Sequence, residues 1–103
     1  MKLWIDDVRP APEGYTWCKS VNEAKYIITH DGVVSHNNTV WYVELIDIDH
    51  DAGDYAQHGG DYIKLLDWLE KTGRNYPIHI HSMNPVGVQN MRAIIQHNGW
   101  EEV

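Results

Sequence analysis

Short apolar runs alternate with amphipathic segments along the chain, and this alternation predicts an α/β domain. Four apolar runs have the length and composition of β-strands. The third run is the most continuous in Val, Leu, Ile and Tyr, as expected for a central strand covered on both faces. The predicted strands are Lys2–Asp7, Tyr15–Cys18, Val40–Ile48 and Ile78–His81.

Three amphipathic segments predict helices, each with a start signal and a stop signal. Ser20 with Glu23 three residues later forms a capping box before the first apolar stripe. Asn84 is a suitable N-cap for the last helix, and Pro85 suits its first position. The predicted helices run from the caps Ser20, Asp61 and Asn84 to about His30, Gly73 and Gly99.

The resulting order, β-β-α-β-α-β-α, indicates one small three-layer α/β domain. Strands separated by helical segments pair in parallel through right-handed crossovers. We therefore expect a mainly parallel sheet of about four strands with three helices. A chain of 103 residues is long enough for one hydrophobic core and too short for two, so residues 1–103 are interpreted as a single domain.

The composition narrows the class of ligand. The formal charge of −7 argues against bulk binding to duplex nucleic acid, which depends on phosphate neutralisation by Lys and Arg. A phosphate ligand would instead be held locally, by a metal or a few aimed donors. Cys18 is the single cysteine and cannot form an intramolecular disulfide. No apolar run is long enough for a signal segment or a membrane span, which favours a cytoplasmic protein with no membrane partner.

Carboxylates lie where two predicted strands end. Asp6 and Asp7 end the first predicted strand, and Asp49 follows the third. The carboxyl ends of parallel strands meet at one edge of a sheet, where ligands of such folds bind. Together the three side chains could hold Mg²⁺ or Mn²⁺ through oxygen ligands; the alternative is that they are solvated loop acids. Asp47 shares a strand face with Asp49 and could orient a ligand.

Histidines near the same strand ends are candidates for acid and base chemistry. With an ordinary pKa of about 6.5, His50 and His81 could activate water and protonate a leaving sugar oxygen. Asp51 is either a further metal ligand or a partner for a histidine. His79 lies deeper in its strand, where a hydrogen-bonded core residue is expected. The other four histidines are expected at the surface: His30, His36, His58 and His97.

The start of the last helix is a candidate phosphate site. Asn84 is its predicted N-cap, and free backbone amides after Pro85 would point toward the strand ends. Gly87 would allow a ligand to approach the backbone closely. Arg9 could clamp a phosphate oxygen, although an ion pair with Glu13 or a neighbouring Asp is an equal alternative.

Three motifs in this order resemble the cyclic-phosphate-processing receiver family, a catalytic offshoot of the response-regulator receiver fold. They are Leu-Trp-Ile-Asp-Asp-Val-Arg-Pro-Ala-Pro-Glu-Gly at 3–14, Ile-Asp-His-Asp at 48–51 and His-Ile-His-Ser-Met-Asn-Pro-Val-Gly at 79–87. The resemblance implies a flavodoxin-like sheet and an acidic pocket similar to the magnesium pocket of receivers, with added histidines. It also implies that Ser82 contacts a phosphoryl group.

Three functions compete on this evidence. The leading one is a phosphoesterase that opens a cyclic phosphate, either a 2′,3′-cyclic RNA end or a small cyclic nucleotide, with His50, His81, Asp49 and Asp51 as catalytic candidates. The second is a phospho-accepting receiver with Asp49 as acceptor, although no Lys follows the last strand as receivers require. The third is a non-catalytic or inhibitory module that binds a metal or nucleotide. The sequence leaves substrate identity and oligomeric state open.

Overall fold

The computed structural model describes residues 1–103 and confirms the predicted order of elements. A 3₁₀ helix at Gly53–His58 lies in the segment between the third predicted strand and the second predicted helix. No helix is long and apolar enough to cross a membrane. The strands are β1 (Lys2–Ile5), β2 (Tyr15–Cys18), β3 (Leu45–Ile48) and β4 (Ile78–Ile80), and the helices are α1 (Val21–Thr29), α2 (Ile63–Thr72) and α3 (Pro85–Asn98).

The third strand is shorter than its apolar run predicts. Residues 40–44 precede β3, and only Val40 forms an isolated antiparallel bridge, with Val34. The reason is the register of the sheet, in which Lys2 at the start of β1 pairs with Leu45. Residues before Leu45 therefore extend past the start of β1, where the Glu44 N–H still donates to the Met1 backbone oxygen at 2.9 Å but no regular ladder continues.

The four strands form one parallel sheet with the order β2-β1-β3-β4. The register aligns Leu3 with Ile46 and Ile46 with Ile78, so equivalent apolar positions lie side by side across three strands. At the free edge of β4, Glu102 forms a parallel bridge with Ile78. This is a receiver-like α/β fold, as predicted.

The structure differs from the expected three layers because all three helices lie on one face of the sheet. Helix α2 packs beside both α1 and α3, and all three contribute to one core with the strands. The crossovers β2-α1-β3 and β3-α2-β4 advance in the same direction across the sheet, so their common right-handedness places them on the same side. The connection from β1 to β2, residues 6–14, contains no helix. The strand residues that face the helices are Leu3, Ile5, Cys18, Ile46, Ile48 and Ile78, and all are fully buried.

The opposite face of the sheet, here called the open face, carries no helix. Strand alternation and the register place Trp4, Trp17, Asp47 and His79 in one row on this face. Trp4 and Trp17 are partly exposed and His79 is exposed. The expectation that His79 is a core residue is therefore wrong, although its Nδ1 pairs with the backbone oxygen of Val103 at 2.7 Å. β3 is likewise covered by helices on one face only.

Candidate functional site

Polar side chains at the ends of three strands lie together at the carboxyl edge of the open face. Asp6, Asp49 and His81 each directly follow a strand, β1, β3 and β4. Backbone hydrogen bonds extend the ladders to these positions: the Asp49 N–H donates to Ile5 (2.9 Å) and the His81 N–H to Ile48 (3.0 Å). One ligand atom from each of the three side chains lies within 4.8 Å of the others. This grouping, here called the Asp-Asp-His group, could hold a metal ion.

The imidazole of His81 is held between two carboxylates. Its Nδ1–H donates to Asp47 Oδ1 at 2.6 Å and its Nε2–H to Asp6 Oδ2 at 2.9 Å. The side chain is only 9% exposed. Burial alone would lower the pKa of His81, but the hydrogen bonds and charges of Asp47 and Asp6 outweigh it and raise the pKa. A carboxylate acceptor at each ring nitrogen favours the doubly protonated imidazolium form of His81.

Trp4 completes the surroundings of His81. The two rings are stacked with centroids 3.8 Å apart and planes 1° from parallel. The indole N–H of Trp4 donates to the backbone oxygen of Arg9 at 2.9 Å, which fixes the orientation of the indole. This contact was not predicted. The sequence feature that could have predicted it is the two-residue alternation of side chains along a strand, which puts Trp4 and Asp6 on the same face of β1.

The carboxylate of Asp6 is fully buried and hydrogen-bonded on both oxygens. Oδ1 accepts the backbone N–H groups of Val8 and Arg9, each at 2.9 Å, and Oδ2 accepts from His81. Burial raises the pKa of Asp6, but these backbone bonds and the bond and charge of His81 outweigh it, so the pKa is lowered. The indole N–H of Trp17 donates to the backbone oxygen of Asp6 at 2.7 Å. Asp6 is therefore a charged carboxylate held from several sides.

Asp7 occupies a different position from Asp6 and lies outside the Asp-Asp-His group. Its Oδ2 would be 2.4 Å from a Cβ placed on Gly53, where φ is +55°, so its carboxylate lies against that glycine. Burial, followed by the charges of Asp6 and Asp49, raises its pKa. The Asp-Asp-His group therefore contains His81 in the position expected for Asp7 from the sequence.

His50 forms a second arrangement, on the helix side of the sheet edge. Its Nδ1 pairs with Asp51 Oδ1 at 2.9 Å, so Asp51 is the partner of a histidine. A Cβ on Gly87 would lie 2.4 Å from the Cγ atom of His50, which shows that the ring packs against the first turn of α3. Asp49 Oδ1 accepts the backbone N–H of His50 at 2.8 Å and links this pair to the Asp-Asp-His group.

The residues expected to bind phosphate are present near this edge, but several of their donors are already bonded. Asn84 is the N-cap of α3, and its Oδ1 accepts the Gly87 N–H at 3.0 Å. The Val88 N–H donates to the Asn84 backbone oxygen, and Ser82 Oγ accepts the Asn84 N–H. Arg9 is exposed, and its Nη1–H donates to the His81 backbone oxygen at 3.4 Å.

The other histidines lie outside the site. All four expected at the surface are exposed: His30, His36, His58 and His97. Arg9 does not pair with Glu13; its Nε lies 3.9 Å from Asp6 Oδ2, the alternative ion pair foreseen with a neighbouring Asp. The site is therefore built from two histidines, His50 and His81, and the acids that surround them.

The charge on His81 predicts a pH-dependent contribution to stability. Because its pKa is raised on folding, this contribution is complete below the unfolded value of about 6.5 and is lost as the pH rises through the higher folded value. We expect the free energy of unfolding of wild type, measured in EDTA, to exceed that of His81→Gln most near pH 6. The excess should shrink as the pH rises. His79→Gln is the matched control, and an excess that stays constant or grows with pH would contradict the charge assignment.

The contact between His50 and Gly87 predicts a coupling between the two positions. Gly87→Ala should destabilise wild type, because the new Cβ collides with the imidazole. In a His50→Ala background the same substitution should stabilise α3 by up to about 1 kcal/mol, since Ala is the better helix former. Chemical denaturation of the four proteins in this double-mutant cycle measures the coupling. An equal effect of Gly87→Ala in both backgrounds would show that the ring does not lie there.

Comparisons with known proteins agree with this geometry. No curated protein and no solved structure gives a significant match to the chain. A family model described as the cyclic-phosphate processing receiver domain matches residues 1–97, nearly the whole chain. The parallel sheet and its acidic carboxyl edge are consistent with that description. The chain therefore belongs to the cyclic-phosphate processing receiver domain family.

Proposed function

We propose that this domain is a phosphoesterase that opens a cyclic phosphate, at a 2′,3′-cyclic RNA end or in a small cyclic nucleotide. The observation that carries the proposal is the Asp-Asp-His group, with His81 backed by Asp47 and the His50–Asp51 pair beside it. The family assignment supports cyclic phosphate as the class of substrate. Both histidines follow strands at the edge where ligands of parallel α/β sheets bind.

The donors of the Asp-Asp-His group suit a divalent metal ion. Asp6 and Asp49 offer carboxylate oxygens, and His81 offers Nε2 once its proton is displaced. Asp47 then keeps the remaining proton on Nδ1, the usual second hydrogen bond of a histidine that binds metal. Of Mg²⁺ and Mn²⁺, this set favours Mn²⁺, because imidazole nitrogen suits transition ions and Mg²⁺ prefers oxygen alone. A bound ion would polarise the phosphoryl group and stabilise its developing charge.

His50 is proposed as the general base. Asp51 Oδ1 accepts a hydrogen bond from the Nδ1–H of His50, which leaves the Nε2 lone pair to accept a proton from water. The water oxygen forms a bond to phosphorus, and one ring P–O bond breaks. Water loses one proton to His50, and the released sugar oxygen gains one proton, so the step balances. From the sequence, His81 is expected to be the second acid or base. We propose metal binding for it instead, because carboxylates face both of its nitrogens.

Substrate phosphate would be positioned by groups at the rim of this edge. Arg9 places an exposed guanidinium beside the His81 backbone. The Ser82 oxygen accepts a backbone N–H, and its own O–H remains available as a donor. Asn84 and Gly87 hold the start of α3, against which His50 rests. Phosphate binding by Arg9 and Ser82 stays a prediction, and Asn84 and Gly87 would contribute by fixing the start of α3.

Phosphate storage on Asp49, as in a receiver, is less well supported. The strand-end segment after β4 reads His81-Ser82-Met83 and contains no Lys. Asp49 Oδ1 already accepts the His50 N–H. A base beside the site favours hydrolysis over a stored acyl phosphate.

Metal binding should stabilise the fold, and at equal concentration the tighter-binding ion should stabilise it more. A ligand at a hundredfold excess over its dissociation constant stabilises by about 2.7 kcal/mol, which shifts the melting temperature of a domain of this size by about 10 °C or more. We expect a larger shift with Mn²⁺ than with Mg²⁺ in wild type. Asp49→Asn and His81→Gln should each abolish most of it, and Asp54→Asn, on the 3₁₀ helix, should not. Equal shifts in wild type and Asp49→Asn would remove the metal site from the proposal.

Catalysis should depend on His50 and His81 and not on His79. We expect His50→Ala and His81→Ala each to lower the hydrolysis rate of a cyclic phosphodiester by about 10² or more, as general-base or metal-site losses do. His79→Ala, two residues before His81 on the same face, should keep the wild-type rate. The assay is turnover of 2′,3′-cyclic and 3′,5′-cyclic nucleotides with Mn²⁺. No turnover by wild type would favour the non-catalytic module, and full rate in His50→Ala would remove His50 as the general base.

A further inference from the structure

We infer that the open face of the sheet binds the nucleobase of the substrate, so that the domain selects cyclic phosphates carried by a nucleotide. The inference rests on the proposed function, because it places the phosphate of the same ligand at the Asp-Asp-His group. It adds a binding surface defined by Trp4, Tyr15 and Trp17, here called the aromatic platform. Base stacking on such rings recognises nucleotides without requiring a strongly basic protein.

The aromatic platform is formed by residues that the sheet register brings side by side. Trp4 pairs with Trp17, and Tyr15 pairs with Lys2, across β1 and β2. All three rings are partly exposed, and no helix covers this face. Trp4 and Tyr15 meet edge to face, with centroids 5.9 Å apart. Large aromatic rings on an uncovered sheet face form a surface that planar ligands can contact.

The platform is continuous with the proposed phosphate site. Trp4 stacks on His81, and the Trp17 indole donates to the Asp6 backbone oxygen. From Trp4 to Asp6 the strand advances two residues, about 6.6 Å. One ligand can therefore place its phosphate at the Asp-Asp-His group and its base on the adjacent platform. An occupant with a base joined to a phosphate fits this layout.

The local charges also fit a nucleotide. The Lys19 Nζ lies 4.5 Å from the centre of the Trp17 ring, and the Lys2 Nζ lies 5.6 Å from that of Tyr15. Arg9 lies at the carboxyl edge of this face, where its guanidinium donates to the His81 backbone oxygen. Although the whole chain carries −7, three of its eight basic residues thus lie around this face. Lys19 is partly exposed, and an ammonium over a ring near the surface is held weakly. A base can therefore replace it on Trp17 and leave its charge free for phosphate.

The test compares a ligand with a base and one without. The probes are adenosine 2′,3′-cyclic phosphate and 1-O-methylribose 2′,3′-cyclic phosphate, titrated calorimetrically with Mn²⁺ in the slow His50→Ala variant. Trp17→Phe and Trp17→Leu both remove the indole bond to Asp6, so the difference between them reports ring stacking alone. Trp41→Leu, at an indole exposed elsewhere, is the control.

We expect the adenosine ligand to bind about tenfold or more tightly than the base-free ligand, the usual effect of one stacked base. This advantage should persist in Trp17→Phe and Trp41→Leu and disappear in Trp17→Leu, with base-free binding equal in both Trp17 variants. Equal binding of both probes would overturn the platform and leave the proposed function standing. Binding of neither would overturn both. A dimer, seen by sedimentation and dissociated by Trp17→Leu, would assign the open face to a second copy of the chain and overturn the inference.

Discussion

The site depends on one arrangement, the charged His81 between the carboxylates of Asp6 and Asp47. These carboxylates lie at buried positions, and isolated charges there would be strongly destabilising. The positive charge of the imidazolium stabilises both carboxylates, and the stacked Trp4 ring covers one side of the imidazolium. Removing the histidine would leave two buried negative charges without their common partner. A divalent ion that displaced one proton would preserve the compensation, which is why the same residues suit a metal.

A second constraint is the missing layer of helices. Because every helical crossover advances in one direction, the helices cover one face and leave Trp4 and Trp17 on the other face without a helix above them. The site therefore has two differently exposed sides. The Asp-Asp-His group lies at the end of the open face, while His50 packs against Gly87 on the helix side. A phosphate at the edge could be reached from both sides.

Much of this was predictable from local signals. The caps Ser20 and Asn84 and the apolar periodicity located the helices, and parallel topology placed Asp6 and Asp49 at one edge. The predicted cap Asp61 was wrong: α2 begins after Tyr62 without a side-chain cap, and Asp61 Oδ1 accepts the Ala52 N–H instead. The coverage of the sheet was not predictable, since Trp4 and Trp17 are as compatible with a second buried face as with an exposed one. The position of His79 was misjudged for this reason. The pairing of His81 with Asp6 required a side chain to reach across β3, and sequence spacing contains no information about that reach.

The most direct test of this account is the protonation of His81, observed by long-range ¹H–¹⁵N NMR of its imidazole with His81→Gln for assignment. In metal-free protein near neutral pH, both nitrogens should carry protons. Saturating Zn²⁺, a diamagnetic substitute, should remove the proton from Nε2 and leave the one on Nδ1, where Asp47 holds it. A neutral ring in the metal-free protein, or an imidazolium that persists at saturating metal, would contradict the account.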